Sequence, residues 1–344
     1  MSSTENSPPR MIGESASFLE MQEHVSQVAP LSKPVLIVGE RGTGKELIAA
    51  RLHYLSKRWQ QSFLKINCAA VSDSLLESQL FGHEAGAFTG ASTMRKGYFE
   101  RAHGGTLFLD ELANTAMPLQ EKILRIIEYG ELERLGGNKT IKVDVRIVAA
   151  TNEDLPTLAK QKKFREDLLD RLAFDVVTLP PLRARSEDIL VLAEHFAVGM
   201  VKELDGEYFH GFSTNVKKML LTHDWPGNVR ELKNVVERAV YQNLDNTITN
   251  LVFNPFESPY RIGGQSQEVV ATSGESQGST EAELEVDLAS TDSLDFKNHV
   301  QEYEIKLLKE AMKKSQFNQR KAAEFLQMSY HQLRGYLRKY DLLN

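Results

Sequence analysis

PVLIVGERGTGKE, residues 34–46, decides the fold of this 344-residue chain. Val35, Leu36, Ile37 and Val38 form a short apolar run bounded by turn residues, the pattern of a buried parallel strand. Gly39, Glu40, Arg41, Gly42, Thr43, Gly44 and Lys45 follow at once and fit GxxxxGK, and residues 47–55 continue as a helix. Glycines let backbone amides curl around phosphates, the helix N-terminus adds positive potential, and Lys45 reaches the β and γ oxygens. Strand, phosphate loop and helix in this order predict an α/β nucleotide-binding domain with a parallel sheet. Glu46 departs from the general motif, standing where Ser or Thr usually holds magnesium through a hydroxyl.

Working outward, residues 16–28 carry Phe18, Met21, Val25 and Val28 at helical spacing, so a helix leads into the core. Residues 63–67 read as a second strand with Asn67 at its carboxyl end, where open α/β sheets place ligand chemistry. A helix over 72–81, capped by Ser72 and with Leu75, Leu76 and Leu80 on one face, leads to FGHEAGAFTGA, residues 81–91. Small residues alternate there with Phe88 and Thr89 at an exposed tip, which a passive turn does not need. Residues 106–110 form an apolar strand ending in Asp110 and Glu111. Downstream of a phosphate loop, Asp110 suits magnesium, directly or through water, and Glu111 suits the general base that polarises the attacking water.

Residues 118–129 predict an amphipathic helix, and Gly136 with Gly137 marks a hairpin between Leu132 and Ile141. The strand over 143–150 ends at Thr151 and Asn152, placed to sense the γ-phosphate. Arg165 and Arg171 lie six residues apart on a helix, so they point about 120° apart. The prolines of LPPLR, residues 179–183, close the α/β part at residue 182, and helical patterns over 188–200 and 214–223 predict a small helical lid over 183–256. A further helix opens at Asn228 and carries Arg230.

The net charge of −6 divides unevenly: residues 257–293 carry −7, residues 294–344 carry +4. The first of these, rich in Ser, Gly, Glu and Thr, predicts a flexible acidic linker, and residues 1–10 a disordered start. The basic tail reads as three helices. Val300, Tyr303, Leu307 and Ala311 stripe the first, Asn318 caps the second over 319–327, and Ser329 caps the third over 330–340. That is helix-turn-helix spacing. Tyr330, His331, Gln332 and Arg334 are placed to read bases; Arg320, Lys321, Arg338 and Lys339 are placed to hold phosphates. Gln327 near the turn and Gly335 within the last helix depart from the usual pattern. The 41% apolar content supports a sizeable core, and no apolar run approaches the roughly 18 residues of a membrane span. The first ten residues lack a signal segment and Cys68 is the only cysteine, so a cytoplasmic protein without disulfides is expected.

GAFTGA at residues 86–91, between an ATPase core and a C-terminal helix-turn-helix, resembles the bacterial enhancer-binding activators of sigma-54 RNA polymerase. The resemblance implies an AAA+ ATPase over 11–256, a Fis-type DNA-binding domain over 294–344, and ATP and Mg2+ as ligands. It implies that Gly86, Ala87, Phe88, Thr89, Gly90 and Ala91 contact sigma-54, that Asn67 bonds to the catalytic Glu111, that Thr151 and Asn152 act as sensor I, and that Arg230 acts as sensor II. At least one of Arg165 and Arg171 would be a finger into the neighbouring site of a ring, a hexamer as in the family. Partners would be sigma-54 holoenzyme and upstream enhancer DNA. With about ten residues before the core, the chain most resembles the phage-shock activators, which implies control in trans by phage shock protein A. Trp59, beside Lys57 and Arg58, is an aromatic candidate for that contact. A nucleotide-switched repressor, or an AAA+ motor with another client, would share the phosphate loop but would not need GAFTGA together with a Fis-like tail.

Overall fold

A computed structural model of the chain describes residues 11–256, 296–315, 318–326, 328 and 330–340. Two compact units divide at residue 264. The expected linker over 257–293, the first ten residues, Gln327 and Ser329 lie outside the described residues.

In the first unit, α1 (Ala16–Val28), β1 (Val35–Val38), α2 (Lys45–Tyr54), β2 (Phe63–Asn67), α3 (Asp73–Phe81), β3 (Gly82–His83), β4 (Arg95–Lys96), α4 (Tyr98–Arg101) and β5 (Thr106–Asp110) follow in turn. Then come α5 (Met117–Tyr129), β6 (Glu131–Glu133), β7 (Thr140–Lys142), β8 (Arg146–Thr151), α6 (Leu155–Lys160), α7 (Glu166–Leu172) and β9 (Val176–Thr178). Five strands make one parallel sheet in the order β2-β5-β8-β1-β9. Its two faces explain the continuous apolar runs. Alternate residues of a strand face opposite ways, so Leu107 and Leu109 join the core under α3, α5 and α7, while Phe108 joins Phe18, Val25, Ile48 and Leu52 under α1 and α2. Burying each such side chain contributes about 1.5–3 kcal/mol, so burial on both faces holds the sheet.

Parallel strands end on one edge. Asn67 is in register with Asp110 and Val38 with Thr151, which brings the ends of β2, β5, β8 and β1 together there. The hairpin β6–β7 forms in the expected register, Leu132 opposite Ile141. Three local expectations change. Ser72 stands at the N-cap of α3 with extended backbone, but its hydroxyl accepts no helix amide and lies 3.5 Å from the Ser74 hydroxyl. Leu75 points to solvent, while Leu76, Leu80 and Phe81 lie on the core face of α3. Arg165 precedes α7 instead of lying within it; its extended backbone and the acidic first turn, Glu166 and Asp167, set the helix start one residue later.

The lid consists of α8 (Glu187–Glu203), α9 (Thr214–Thr222) and α10 (Asn228–Gln242). They pack around Leu192, Val216, Leu220, Leu232, Val236 and Trp225, whose indole N–H donates to the Leu220 carbonyl at 2.9 Å.

In the second unit α11 (Phe296–Lys314), α12 (Gln319–Phe325) and α13 (Tyr330–Lys339) close over Leu308, Ala322, Ala323, Leu333 and Leu337. Asn318 caps α12, its Oδ1 accepting the Arg320 amide at 3.1 Å. Leu308 and Ala311 face inward while Leu307, about 100° round the helix, is exposed, so the core-facing stripe of α11 runs through Leu308. The side chains of Val300 and Tyr303 lie outside the described set.

Candidate active site

The phosphate loop joins β1 to α2 through Gly42 and Gly44, both at positive φ (78° and 101°). A Cβ on Gly42 would sit 2.2 Å from the Gly227 carbonyl oxygen, so the loop lies against the lid where only glycine fits. Lys45 Nζ donates to the carbonyls of Gly39 and Glu40 at 2.7 and 3.1 Å and so spans the loop. Burial lowers its pKa, against the pull of Asp110 and Glu111. Thr43 Oγ1 donates to the Glu40 carbonyl at 2.8 Å.

Beside the loop, burial raises the Asp110 pKa, opposed by the Glu111 amide and Lys45. Asp110 Oδ1 accepts the Glu111 N–H at 3.0 Å; its other oxygen accepts no hydrogen bond among the described residues. Glu111 takes a left-handed backbone (φ 53°), which ends the strand and turns the second carboxylate off the sheet. Glu46 is drawn away by an ion pair with Lys65 at 2.9 Å. The residues present therefore fit a divalent cation through Asp110, with Glu46 engaged elsewhere. Asn67 Oδ1 accepts the Ala69 amide at 2.8 Å and stays at the strand end next to Asp110, without a bond to Glu111 in this conformation. Thr151 is fully buried and accepts the Glu153 amide at 2.9 Å, and Asn152 lies 3.3 Å from the Glu153 carboxylate.

Arg230 lies in the first turn of α10, its amide donating to the Gly42 carbonyl at 3.3 Å. Glu231 is engaged by His223 and the Gly227 amide, and Glu237 by Lys233, so neither neutralises Arg230. Arg165 holds Asp167 through two nitrogens at 3.0 and 2.7 Å, and the exposed Arg171 reaches Glu128 at 2.9 Å. Both arginines are thus paired with carboxylates of the same chain.

The loop over residues 84–94 rises from the β3–β4 pair. Gly86 and Gly90 have φ of 85° and 103°, and the Gly86 amide closes the loop on the Ala91 carbonyl at 2.8 Å. Ala91 is buried, whereas Phe88 is 47% exposed with its ring 5.1 Å from that of His83. Ala87 abuts Gly136 of the hairpin, and Arg134 ties Glu84 to Glu100 at 2.8 and 2.7 Å. In the tail, Arg320 and Lys321 lie on α12; Gln332, Arg334, Arg338 and Lys339 are exposed on α13, which also carries Tyr330 and His331. Trp59, in the turn after α2, is 45% exposed.

Two features escaped the sequence. A cavity of about 180 Å³ between the α/β body and the lid borders Gly42 and Gly44 and is lined by Met11, Ile12, Phe18, Leu179, His195 and Val229, an apolar slot suited to a nucleobase. Its residues come from four distant segments and form no periodic pattern. The other is a set of lid contacts to Glu40, where Arg183 and Asn228 meet the phosphate loop.

Three family models match the chain: a sigma-54 interaction domain over 11–178, an AAA+ ATPase lid domain over 183–256, and a Fis-family bacterial regulatory protein over 300–340. The chain is 51% identical over 334 residues to the Psp operon transcriptional activator of Escherichia coli (strain K12), covering 96% of this chain and 98% of that one. It is 48% identical over 239 residues to a Nif-specific regulatory protein of Azotobacter vinelandii, covering 70% of this chain and 45% of that one. NtrX from Brucella abortus in complex with ATP has a TM-score of 0.69 at 29% identity over 96% of this chain and 69% of that one.

Proposed function

The chain belongs to the sigma-54-dependent AAA+ transcription activators, and from that premise we propose that it activates phage-shock genes by an ATP-driven ring acting through residues 86–91. It is an ATPase with a Fis-type DNA-binding domain, and sigma-54 and DNA are its partners. The reading of its target genes rests on likeness to the Psp operon activator across nearly the full length of both chains.

In the proposed mechanism the loop amides of residues 39–45 and Lys45 take the phosphates, and Asp110 would hold the magnesium that screens their charge. Glu111 polarises the attacking water. Thr151 and Asn152 report the γ-phosphate, and Arg230 contacts the nucleotide from its own subunit. At least one of Arg165 and Arg171, Arg171 first, leaves its own-subunit carboxylate to neutralise charge in the neighbouring site of a hexameric ring. Asn67, at the end of β2 beside Asp110, passes the change to α3 and the loop, where Phe88 and Thr89 engage sigma-54. DNA is read by Tyr330, His331, Gln332 and Arg334 and held by Arg320, Lys321, Arg338 and Lys339, with paired half-sites bound by a dimer. Phage shock protein A, acting on the cytoplasmic protein at the exposed Trp59, supplies control.

The observation that carries this reading is that the phosphate loop and the paired carboxylates share the strand-end edge of the sheet, while the exposed, glycine-hinged loop rises from the same α/β body. Its test is transcription from a sigma-54 promoter with purified holoenzyme, measuring ATP hydrolysis in parallel. Thr89→Ala should hydrolyse ATP within about twofold of the unmutated protein yet form few open complexes. If the unmutated protein hydrolyses ATP but never activates on DNA it binds, the client is something else. Adding phage shock protein A to the same assay should inhibit it; unchanged activity would remove that partner.

A further inference from the structure

Glu40 lies in the phosphate loop, yet its side chain turns away from the loop's interior and into the lid. Arg183, at the start of the lid, donates from Nη1 and Nη2 to the two Glu40 oxygens at 2.8 and 2.5 Å. Asn228 Nδ2 reaches Glu40 Oε2 at 3.0 Å and the Arg41 carbonyl at 3.1 Å, while its Oδ1 accepts the Leu182 amide at 2.8 Å. Asn228 is fully buried and left-handed (φ 50°), so its carboxamide is fixed with both ends used. The carboxylate accordingly stays ionised, held down to about 2, chiefly by Arg183 and then by Asn228.

Two residues along, the Arg230 amide meets the Gly42 carbonyl, and Gly42 abuts Gly227. Three segments distant in sequence, the phosphate loop, the lid entry and the start of α10, therefore converge on one carboxylate. We infer that Glu40 is a positioning residue that registers the lid, and with it Arg230, against the phosphate loop, so that nucleotide affinity depends on this latch. The inference rests on the ATPase reading and deepens it: Glu40 acts on the nucleotide through the lid and not by touching phosphate. An opened latch lets the lid swing, which weakens the hold on nucleotide before it slows the chemistry on nucleotide already bound.

The experiment is a double-mutant cycle in the full chain, with Glu40→Gln, Arg183→Gln and both together. KM and kcat for ATP are measured with the dissociation rate of a fluorescent ADP analogue and the thermal unfolding midpoint. Each single variant should raise KM about fivefold and speed ADP release comparably, with kcat changed less than about twofold, the scale of a part-exposed bidentate ion pair. The double variant should be no worse than either single one. Arg183→Lys, which keeps charge but loses the fork, should recover only part of the affinity. With Glu40 titrating near 2, the effect on KM should be constant from pH 6 to 9. Additive effects in the double variant, or a kcat loss with unchanged KM, would overturn the latch while leaving the ATPase reading intact. Absence of hydrolysis by the unmutated chain would instead remove the ATPase reading. Arg183 is half exposed, so its replacement also serves if Glu40→Gln lowers the unfolding midpoint.

Discussion

Arg146 and His53 are buried polar residues that the sequence does not explain; main-chain carbonyls meet the two terminal nitrogens of Arg146, though not its Nε, and a neighbouring hydroxyl meets His53. Arg146 opens β8 at 1% exposure with no carboxylate partner among the described residues; its guanidinium donates to the carbonyls of Ala29 at 2.7 Å, Leu52 at 3.3 Å and Val28 at 3.3 Å, closing the C-terminal ends of α1 and α2 together. Read from sequence, the run over 143–150 looks like any buried strand, because period and apolarity carry no record of which carbonyls need a donor. His53, near the end of α2, is also 1% exposed, with Nδ1 3.0 Å from Thr106 Oγ1 and its ring stacked on Phe63. Burial lowers its pKa, opposed by a bond to the Trp59 backbone and helped by Arg146. The sign follows. Above about pH 6.5 both folded and unfolded states hold the ring neutral, and the contribution is fully present. As pH falls through that value the unfolded chain takes a proton that the folded one resists, so stability drops, by at most about 1.4 kcal/mol per pH unit. Thermal unfolding at pH 7.5 and 5.5 should show a falling midpoint, and His53→Gln should flatten the difference while lowering both midpoints. Equal slopes in the two proteins would assign the acid sensitivity elsewhere.

At the scale of elements, the sequence was most legible where one residue's periodicity settles the outcome. The strands over 63–67 and 106–110 occur as read, each a largely apolar run closed at its carboxyl end by a polar residue, Asn67 or Asp110. The Leu132–Ile141 register follows from the two glycines between them. Contacts between elements were illegible: the nucleobase cavity and the Glu40 latch depend on residues of ordinary type meeting across more than a hundred positions. The hairpin shows why this matters for coupling. Gly136 has φ 71°, and a Cβ there would lie 2.8 Å from the Cβ of Ala87, inside the loop proposed to meet sigma-54. Gly136→Ala therefore meets backbone strain and a collision together, a local cost of about 1–3 kcal/mol. The loop base must shift, whereas the phosphate loop and Glu111 are untouched. Open-complex formation should fall about tenfold with ATP hydrolysis kept, the larger effect arising because small displacements of a contacting group are costly. Loss of hydrolysis in parallel would mean that the hairpin acts on the catalytic edge and not on the loop.

At the scale of the molecule, charge and domain order divide the work. The +4 carried by residues 294–344 lies in the part with the helix-turn-helix, and the ATPase body is a separate compact unit. A DNA-bound tail does nothing to the chemistry of ATP, but it holds the body near a polymerase bound on the same DNA, replacing a bimolecular encounter with a local concentration set by the intervening chain. A chain ending at residue 256 should therefore hydrolyse ATP normally and still activate, but only at about a hundredfold higher protein concentration on a template bearing the upstream site. On a template without that site, the shortened and full chains should require the same concentration, since neither is tethered. Raising salt should narrow the gap on the first template, because contacts between the basic tail and DNA phosphates weaken as counterions compete. If the shortened chain fails to activate at any concentration while its ATPase is intact, the tail contributes more than proximity and takes part in remodelling itself.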